Sequence, residues 1–231
     1  MVTEFVLLLI GSYLLGSIPI PYLVTKWVTG KDMRQYGSGN IGGANLFSLT
    51  SKWIGIPTIV FDFAKAISML VVAKLIGLDI AHQVAVGLMA LIGQNWPVFL
   101  RFSGGRGMMT TLGIALFLPI ANGPLIPWGI IAFIVCAFAG LLIIHSVPIG
   151  TGSGVAAMPL VSWIANEPPA MTLGFLAMFL IMVIRRLTAP RTSLSASVPF
   201  RELMLNRFLL DRDIRDKETW LKRRPIKPKE K

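Results

Sequence analysis

The chain has 231 residues, 54% of them hydrophobic and 14% charged, with a mean hydropathy of +0.70. Soluble domains carry about 25% charged residues, so this composition excludes a water-soluble globular protein and indicates a polytopic membrane protein. The formal net charge of +11 does not argue for nucleic acid, because residues 185–231 hold 14 of the 22 basic and 6 of the 11 acidic residues, a placement that suits positive-inside bias and attraction to anionic lipid.

About 20 apolar residues cross a bilayer. Phe5 to Thr25, Ile80 to Leu100, Gly107 to Asn166 and Pro168 to Ile184 lack Asp, Glu, Lys and Arg altogether. In chain order the expected spans are Glu4–Tyr22, Trp53–Ile76, Ile80–Gly93, Met108–Ala121, Pro127–Val147, Gly154–Ala165 and Pro168–Ile184. The fold class is thus an all-α integral membrane protein of about seven transmembrane helices. Met1 to Thr25 lacks a basic n-region and a small-residue cleavage pattern, so it reads as a first span. Lys26, Lys31 and Arg34 follow it, which places the N-terminus outside; Arg185 and Arg186 stop the last span inside. Residues 1–186 form the expected transmembrane unit and 187–231 a basic cytoplasmic tail. Within that tail, Pro199 to Leu221 mixes apolar and basic residues in the manner of an amphipathic helix on the inner membrane surface or against the bundle, and Pro225 to Lys231 is expected to be disordered. Cys136 stands alone and no metal-ligand spacing occurs, so no disulfide, metal or cofactor is expected.

Several stretches depart from plain span sequence. Gly16 to Leu23, GSIPIPYL, puts two prolines into the first span; the carbonyls they free need protein or water partners, which suggests a cavity wall. Tyr36 to Asn45 is a run of glycine, serine and asparagine that reads as a loop folded around a polar ligand or as a flexible linker. Asp62 and Lys65 interrupt the second span at i, i+3 spacing, which is either functional or a structural ion pair. Gly93 to Thr111, GQNWPVFLRFSGGRGMMTT, sets Arg106 among Gly104, Gly105 and Gly107 ahead of a helix start. Such a loop can bind an anion through backbone N–H groups and a guanidinium, or it can be a membrane-edge turn whose arginines mark the cytoplasmic side. Pro148 to Gly154 reads as a third small-residue loop on the same face, and His145 as a polar residue at a helix end.

Taken together and in order, GSIPIPYL, GSGNIGGAN, Asp-x-x-Lys and NWPVFLRFSGGRG over about residues 11 to 160 resemble the membrane-bound acyl-phosphate:glycerol-3-phosphate acyltransferases of bacteria, often called PlsY. The resemblance implies a seven-helix enzyme of the bacterial inner membrane that transfers an acyl chain from acyl phosphate to glycerol 3-phosphate, without a metal, giving lysophosphatidic acid for phospholipid synthesis. Its partners would be those two substrates and the lipid bilayer. Carried over, Ser38, Asn40 and Arg106 take the catalytic positions. Asn45, Asn95, Gly104, Gly105, Gly107 and Ser153 match substrate-binding positions, with Asp62 and Lys65 supporting the site. The chain departs from the family pattern at Ala44, where a threonine is usual; at Ser48, where an arginine is usual; at Gln94, where a histidine is usual; and at Arg106, where a lysine is usual. The family's last His-Asn and Gly-Thr-Glu motif is replaced by Arg185-Arg186-Leu-Thr-Ala-Pro190, from which Arg185, Arg186 or Arg191 would be placed to return charge. Two other readings accompany the acyltransferase: a non-catalytic relative that binds lipid phosphate or regulates an active paralogue, and a small transporter of anionic solutes.

Overall fold

A computed structural model describes residues 2–123, 126–190 and 192–221; Arg191 and the segment 225–231 expected to be disordered lie outside the described residues. Every regular element within them is helical: α1 (Val2–Ser17), α2 (Ile20–Thr29), α3 (Gly43–Leu49), α4 (Lys52–Leu75), α5 (Ile80–Asn95), α6 (Met108–Asn122), α7 (Trp128–Leu142), α8 (Val147–Ile164), α9 (Pro169–Leu187), α10 (Phe200–Leu210) and α11 (Lys217–Leu221), with short 3-10 turns between some of them. Five segments are long and apolar enough to cross a membrane, namely Val2–Thr29 (α1 and α2 together), Lys52–Leu75, Ile80–Leu100, Val147–Ile164 and Pro169–Leu187. Two shorter apolar helices, Met108–Asn122 and Trp128–Leu142, complete the seven apolar segments.

The prolines break the first span as the sequence predicts, but Gly16 to Leu23 does not form a wall of the cavity at that end of the bundle, because the carbonyls at the break are met by the Lys65 side chain. The first span breaks between Ser17 and Ile20, and Pro21 sits in the first turn of α2, where its missing N–H costs no helical bond. Elsewhere the boundaries shift. Val147–Ile164 is one continuous helix, so Pro148 to Gly154 is its first half and not a loop. Pro148 lies in the first turn, where proline is compatible with a helix, and close packing of α7 on α8 draws in two of the glycines, Gly150 and Gly154, which are buried against it. His145 lies in the exposed turn that precedes α8, with a left-handed backbone.

The core runs through the middle of the bundle, where Leu70, Val86, Ile114, Leu118, Met158, Phe175 and Met178 are buried together. A second, smaller cluster of Tyr22, Met33, Ile41 and Leu46 lies under the loop that follows α2 and holds it to one end of the bundle. The outer surface is apolar, as lipid contact requires. Trp27 and Trp53 are 77% and 88% exposed at the loop end, and Trp163 is 71% exposed at the other, the placement of tryptophans that favour the membrane interface.

Residues 199–221, expected as one amphipathic helix, are two helices separated at Asp211, whose backbone is left-handed (φ 53°). α10 docks on α8 and α9. Its buried face carries Leu203, Asn206 and Arg207, while Phe200 and Leu205 remain exposed. The polar side chains on the docked face have partners there: Arg207 donates to Leu187 O at 2.9 Å and pairs with Asp213, and Asn206 donates to Asp213 O at 3.2 Å.

α1 and α5 pack backbone to backbone. A Cβ on Gly93 would overlap Tyr13 O, and one on Gly16 would overlap Ala90 O. Gly93→Ala is therefore expected to destabilise the protein by about 1–3 kcal/mol, the typical cost of overpacking. Thermal unfolding in detergent measures it, and an unchanged midpoint would contradict the contact.

Candidate active site

One end of the bundle holds a cavity of about 340 Å³. Its walls come from four separate stretches: residues 32–41 after α2, Ser103 to Arg106 before α6, the end of α9, and the C-terminal segment. What brings them together begins deeper, at the break in the first span. There the freed carbonyls of Gly16 and Ile18 accept from the Lys65 ammonium at 3.1 and 3.3 Å. Lys65 also pairs with Asp62 at 3.0 Å and donates to Gln94 Oε1, and Gln94 Nε2 donates to Asp62 Oδ2 at 3.2 Å. All three side chains are buried. The main chain of Gln94 in turn accepts from the Gly105 N–H at 3.2 Å, so this network fixes the glycine loop from below.

The glycines of that loop serve close approach. A Cβ at Gly104 would overlap Gln94 O and crowd Asn95 O, one at Gly105 would overlap Ile41 O, and one at Gly107 would overlap Leu91. Gly107 caps α6 in the left-handed region (φ 63°). The Gly105 N–H, offered by the sequence to an anion, is spent on Gln94, and the carbonyls of Gly104 and Gly105 accept from Arg185 at 2.7 and 3.1 Å. Of the loop's expected ligands, Gly104 and Arg106 reach the cavity; Gly105 and Gly107 shape the loop behind it.

The loop after α2 is ordered by Asn45. Its buried Nδ2 donates to the carbonyls of Met33, Tyr36 and Asn40 at 2.9–3.1 Å, and its Oδ1 accepts from the Ser38 N–H at 3.2 Å. Asn45 is thus the staple of this loop, with its amide committed inside it. Ser38 and Asn40 are left facing the cavity, and Asn40 Oδ1 has no protein partner. Asn95, expected to bind substrate, is fully buried behind the glycine loop and does not line the cavity. Ser153 does not line it either: it is an exposed residue of α8 whose hydroxyl donates to Gly150 O at 3.0 Å. Asp62 and Lys65 support the site from below.

The cavity is strongly cationic. Arg34, Arg106, Arg185, Arg207 and Arg212 line it with Asp32, Asp211 and Asp213. Three pairs form: Arg34 with Asp32 at 2.6 Å, Arg106 with Asp211 at 2.6 Å and Arg207 with Asp213 at 2.7 Å. Partial burial works against the charge on Asp32, but the Arg34 guanidinium outweighs it and holds the carboxyl below the usual range. Arg185 lies where the sequence proposed that a cation returns. Arg186 is turned away from the cavity and donates to Pro148 O and Phe208 O at 2.9 and 2.7 Å. Arg34, Arg207, Asp211 and Arg212 were not expected at the site. The one sequence signal for them is Asp211-Arg212-Asp213, an alternation of sign inside an otherwise basic tail.

The family profile described as glycerol-3-phosphate acyltransferase matches residues 6–193. A protein named glycerol-3-phosphate acyltransferase 4 from Dehalococcoides mccartyi strain CBDB1 is 39% identical over 98% of this chain and 97% of its own. A glycerol-3-phosphate acyltransferase from Syntrophotalea carbinolica is 34% identical over 79% of this chain and 90% of its own. In structure the chain is similar to PlsY, an integral membrane glycerol 3-phosphate acyltransferase crystallised in a glycerol 3-phosphate form, with TM-score 0.69 and 26% identity over 79% of this chain and 88% of that one. The lysophosphatidic acid form of the same enzyme gives 0.66 and 25%.

Removing Lys65 would leave Asp62 buried without its counter-ion and take a donor from the Gly16 and Ile18 carbonyls. Lys65→Met is expected to cost about 3–5 kcal/mol of stability, and the double variant Asp62→Asn/Lys65→Met to cost less than that single change. Paired unfolding curves in detergent test this; equal losses would remove the ion pair as the cause.

Proposed function

This chain belongs to the glycerol-3-phosphate acyltransferase family, and on that premise we propose a site mechanism for the cavity. The protein is a multi-pass membrane acyltransferase that makes lysophosphatidic acid from glycerol 3-phosphate; the family and structural matches favour this over a non-catalytic relative or a transporter. The observation that carries the mechanism is the facing of Ser38 and Asn40 across one cavity from Arg106. We take acyl phosphate as the donor, the bacterial inner membrane as the location, and the cavity end as cytoplasmic, with 1–186 as the transmembrane unit and 187–231 as an appended segment.

An acyl phosphate is already activated, so catalysis needs placement and charge stabilisation more than a strong base. The primary hydroxyl oxygen of glycerol 3-phosphate attacks the acyl carbonyl carbon. A new C–O ester bond forms, the bond from that carbon to the phosphate oxygen breaks, and inorganic phosphate leaves carrying the hydroxyl proton. Arg106 holds a substrate phosphate through its fixed fork of donors. Ser38 offers a hydroxyl and Asn40 an unpartnered carbonyl oxygen to orient the attacking hydroxyl. The acyl tail lies between helices, open to the bilayer. Asp211 occupies Arg106 in the free protein and yields it when a phosphate arrives.

Acyl transfer by the purified protein, with palmitoyl phosphate and glycerol 3-phosphate and with phosphate and lysophosphatidic acid followed together, tests this reading. Arg106→Ala is expected to lower kcat/KM by on the order of 10²-fold or more; full activity in a folded Arg106→Ala would remove Arg106 from the mechanism. Asp211→Asn keeps the left-handed backbone that asparagine tolerates and removes the competing charge. It should lower the KM of a phosphate substrate about fivefold, the scale of one exposed-to-partly-buried ion pair.

A further inference from the structure

The charges lining the cavity do not balance. Its five arginines face three aspartates, and each aspartate is taken by one arginine: Asp32 by Arg34, Asp211 by Arg106 and Asp213 by Arg207. Arg185 and Arg212 remain without an ion-pair partner among the described residues. The two are held differently, and both holdings leave donors for a ligand. Arg185 comes from the last turn of α9; its Nε and one terminal nitrogen donate to the glycine-loop carbonyls, and its guanidinium carbon lies 6.0 Å from the centre of the Trp96 ring. Hydrogen bonds to neutral carbonyls orient a guanidinium without neutralising it. Arg212 follows Asp211 in the segment between α10 and α11. Its Nε is buried and has no hydrogen-bond partner, and Asp216 acts on it through space without a salt bridge. Burial holds the Arg212 pKa below the ordinary guanidinium value, and Asp216 works in the opposite direction.

A phosphate monoester carries about −1.5 to −2 charges at neutral pH, which guanidinium groups outside an ion pair can match. The reaction brings two phosphate-bearing substrates into one cavity, and Arg106 is a station for one of them. We propose that Arg212, which lines the same cavity as Arg185 and Arg106, adds a second phosphate-binding station, so that the C-terminal segment beyond the family profile supplies part of the substrate site. This rests on the acyltransferase reading for the identity of the ligand and on the charge inventory alone for the existence of the station.

The test uses the full-length protein in detergent. Arg212 is chosen because its removal leaves no backbone group unbonded, whereas Arg185 also braces the glycine loop. Arg212→Gln should raise the KM of one phosphate substrate by on the order of tenfold to a hundredfold, the worth of a charge-assisted hydrogen bond, with the KM of the other and the melting temperature unchanged. Arg212→Lys should recover part of the loss. Whichever KM moves, for glycerol 3-phosphate or for palmitoyl phosphate, names the phosphate held there. In parallel, inorganic phosphate binding is measured by calorimetry on wild type and variant, with Arg212→Gln expected to weaken it by a similar factor. Unchanged KM values with unchanged phosphate binding would overturn the proposal, as would a uniform loss that tracks a lowered melting temperature. If the wild type gives no turnover, the acyltransferase reading fails; phosphate binding that depends on Arg212 then still supports the station, and phosphate binding indifferent to Arg212 overturns it.

Discussion

The ammonium of Lys65 sits at the point on which the rest of the architecture depends. A helix that breaks inside a membrane leaves carbonyls that no lipid can solvate, and the prolines at 19 and 21 impose such a break on the first span. Lys65 satisfies two of those carbonyls at once, is itself neutralised by Asp62, and passes a contact to Gln94. One buried charge ties α1, the break that follows it, α4 and α5. Because Gln94 also accepts from Gly105, the position of the arginine-bearing loop follows from the same network. A glutamine suits this post. It offers an acceptor to the ammonium and a donor to the carboxylate simultaneously, whatever the pH.

Above that network, the polar walls are joined by charge instead of apolar packing. Arg106 and Asp211 are 105 residues apart in sequence and bonded in space, and Arg207 clamps the C-terminal segment to the end of α9 through Leu187 and Pro190. The family profile stops at residue 193, yet the chain beyond it contributes Arg207, Asp211, Arg212, Asp213 and Trp220 to the cavity. The Dehalococcoides relative that aligns over nearly the whole chain extends the similarity through this segment. In this chain the cavity wall is thus partly built by residues beyond the family profile.

Much of this was legible in the sequence, for reasons that are physical. Uncharged runs of spanning length mark helices in a membrane because nothing else satisfies the backbone there, so the seven apolar segments could be read directly. The i, i+3 spacing of Asp62 and Lys65 allowed an ion pair beside a functional reading, and the pair forms. Pro148 to Gly154 was misread because glycine and proline signal a loop in water, whereas a helix packed tightly on its neighbour needs small residues and tolerates proline in its first turn. Asn45 looked like a ligand contact because polar residues in glycine-rich loops often are; only the fold shows its amide consumed by three carbonyls. The C-terminal wall was hidden by averaging. A basic tail suggests a lipid surface, and the two aspartates that flank Arg212 change that meaning only once Arg106 and Arg207 are seen opposite them.

The exposed tryptophans have a consequence for where the chemistry takes place. Trp27 closes α2 and Trp53 opens α4, and both flank the same end of the bundle as the cavity. Indole rings settle at the level of lipid headgroups, so these two side chains act as a depth gauge. They hold the mouth of the cavity at the plane where water ends and hydrocarbon begins. A water-soluble phosphate arrives there from one side and a fatty chain from the other, and neither substrate has to leave the phase that dissolves it.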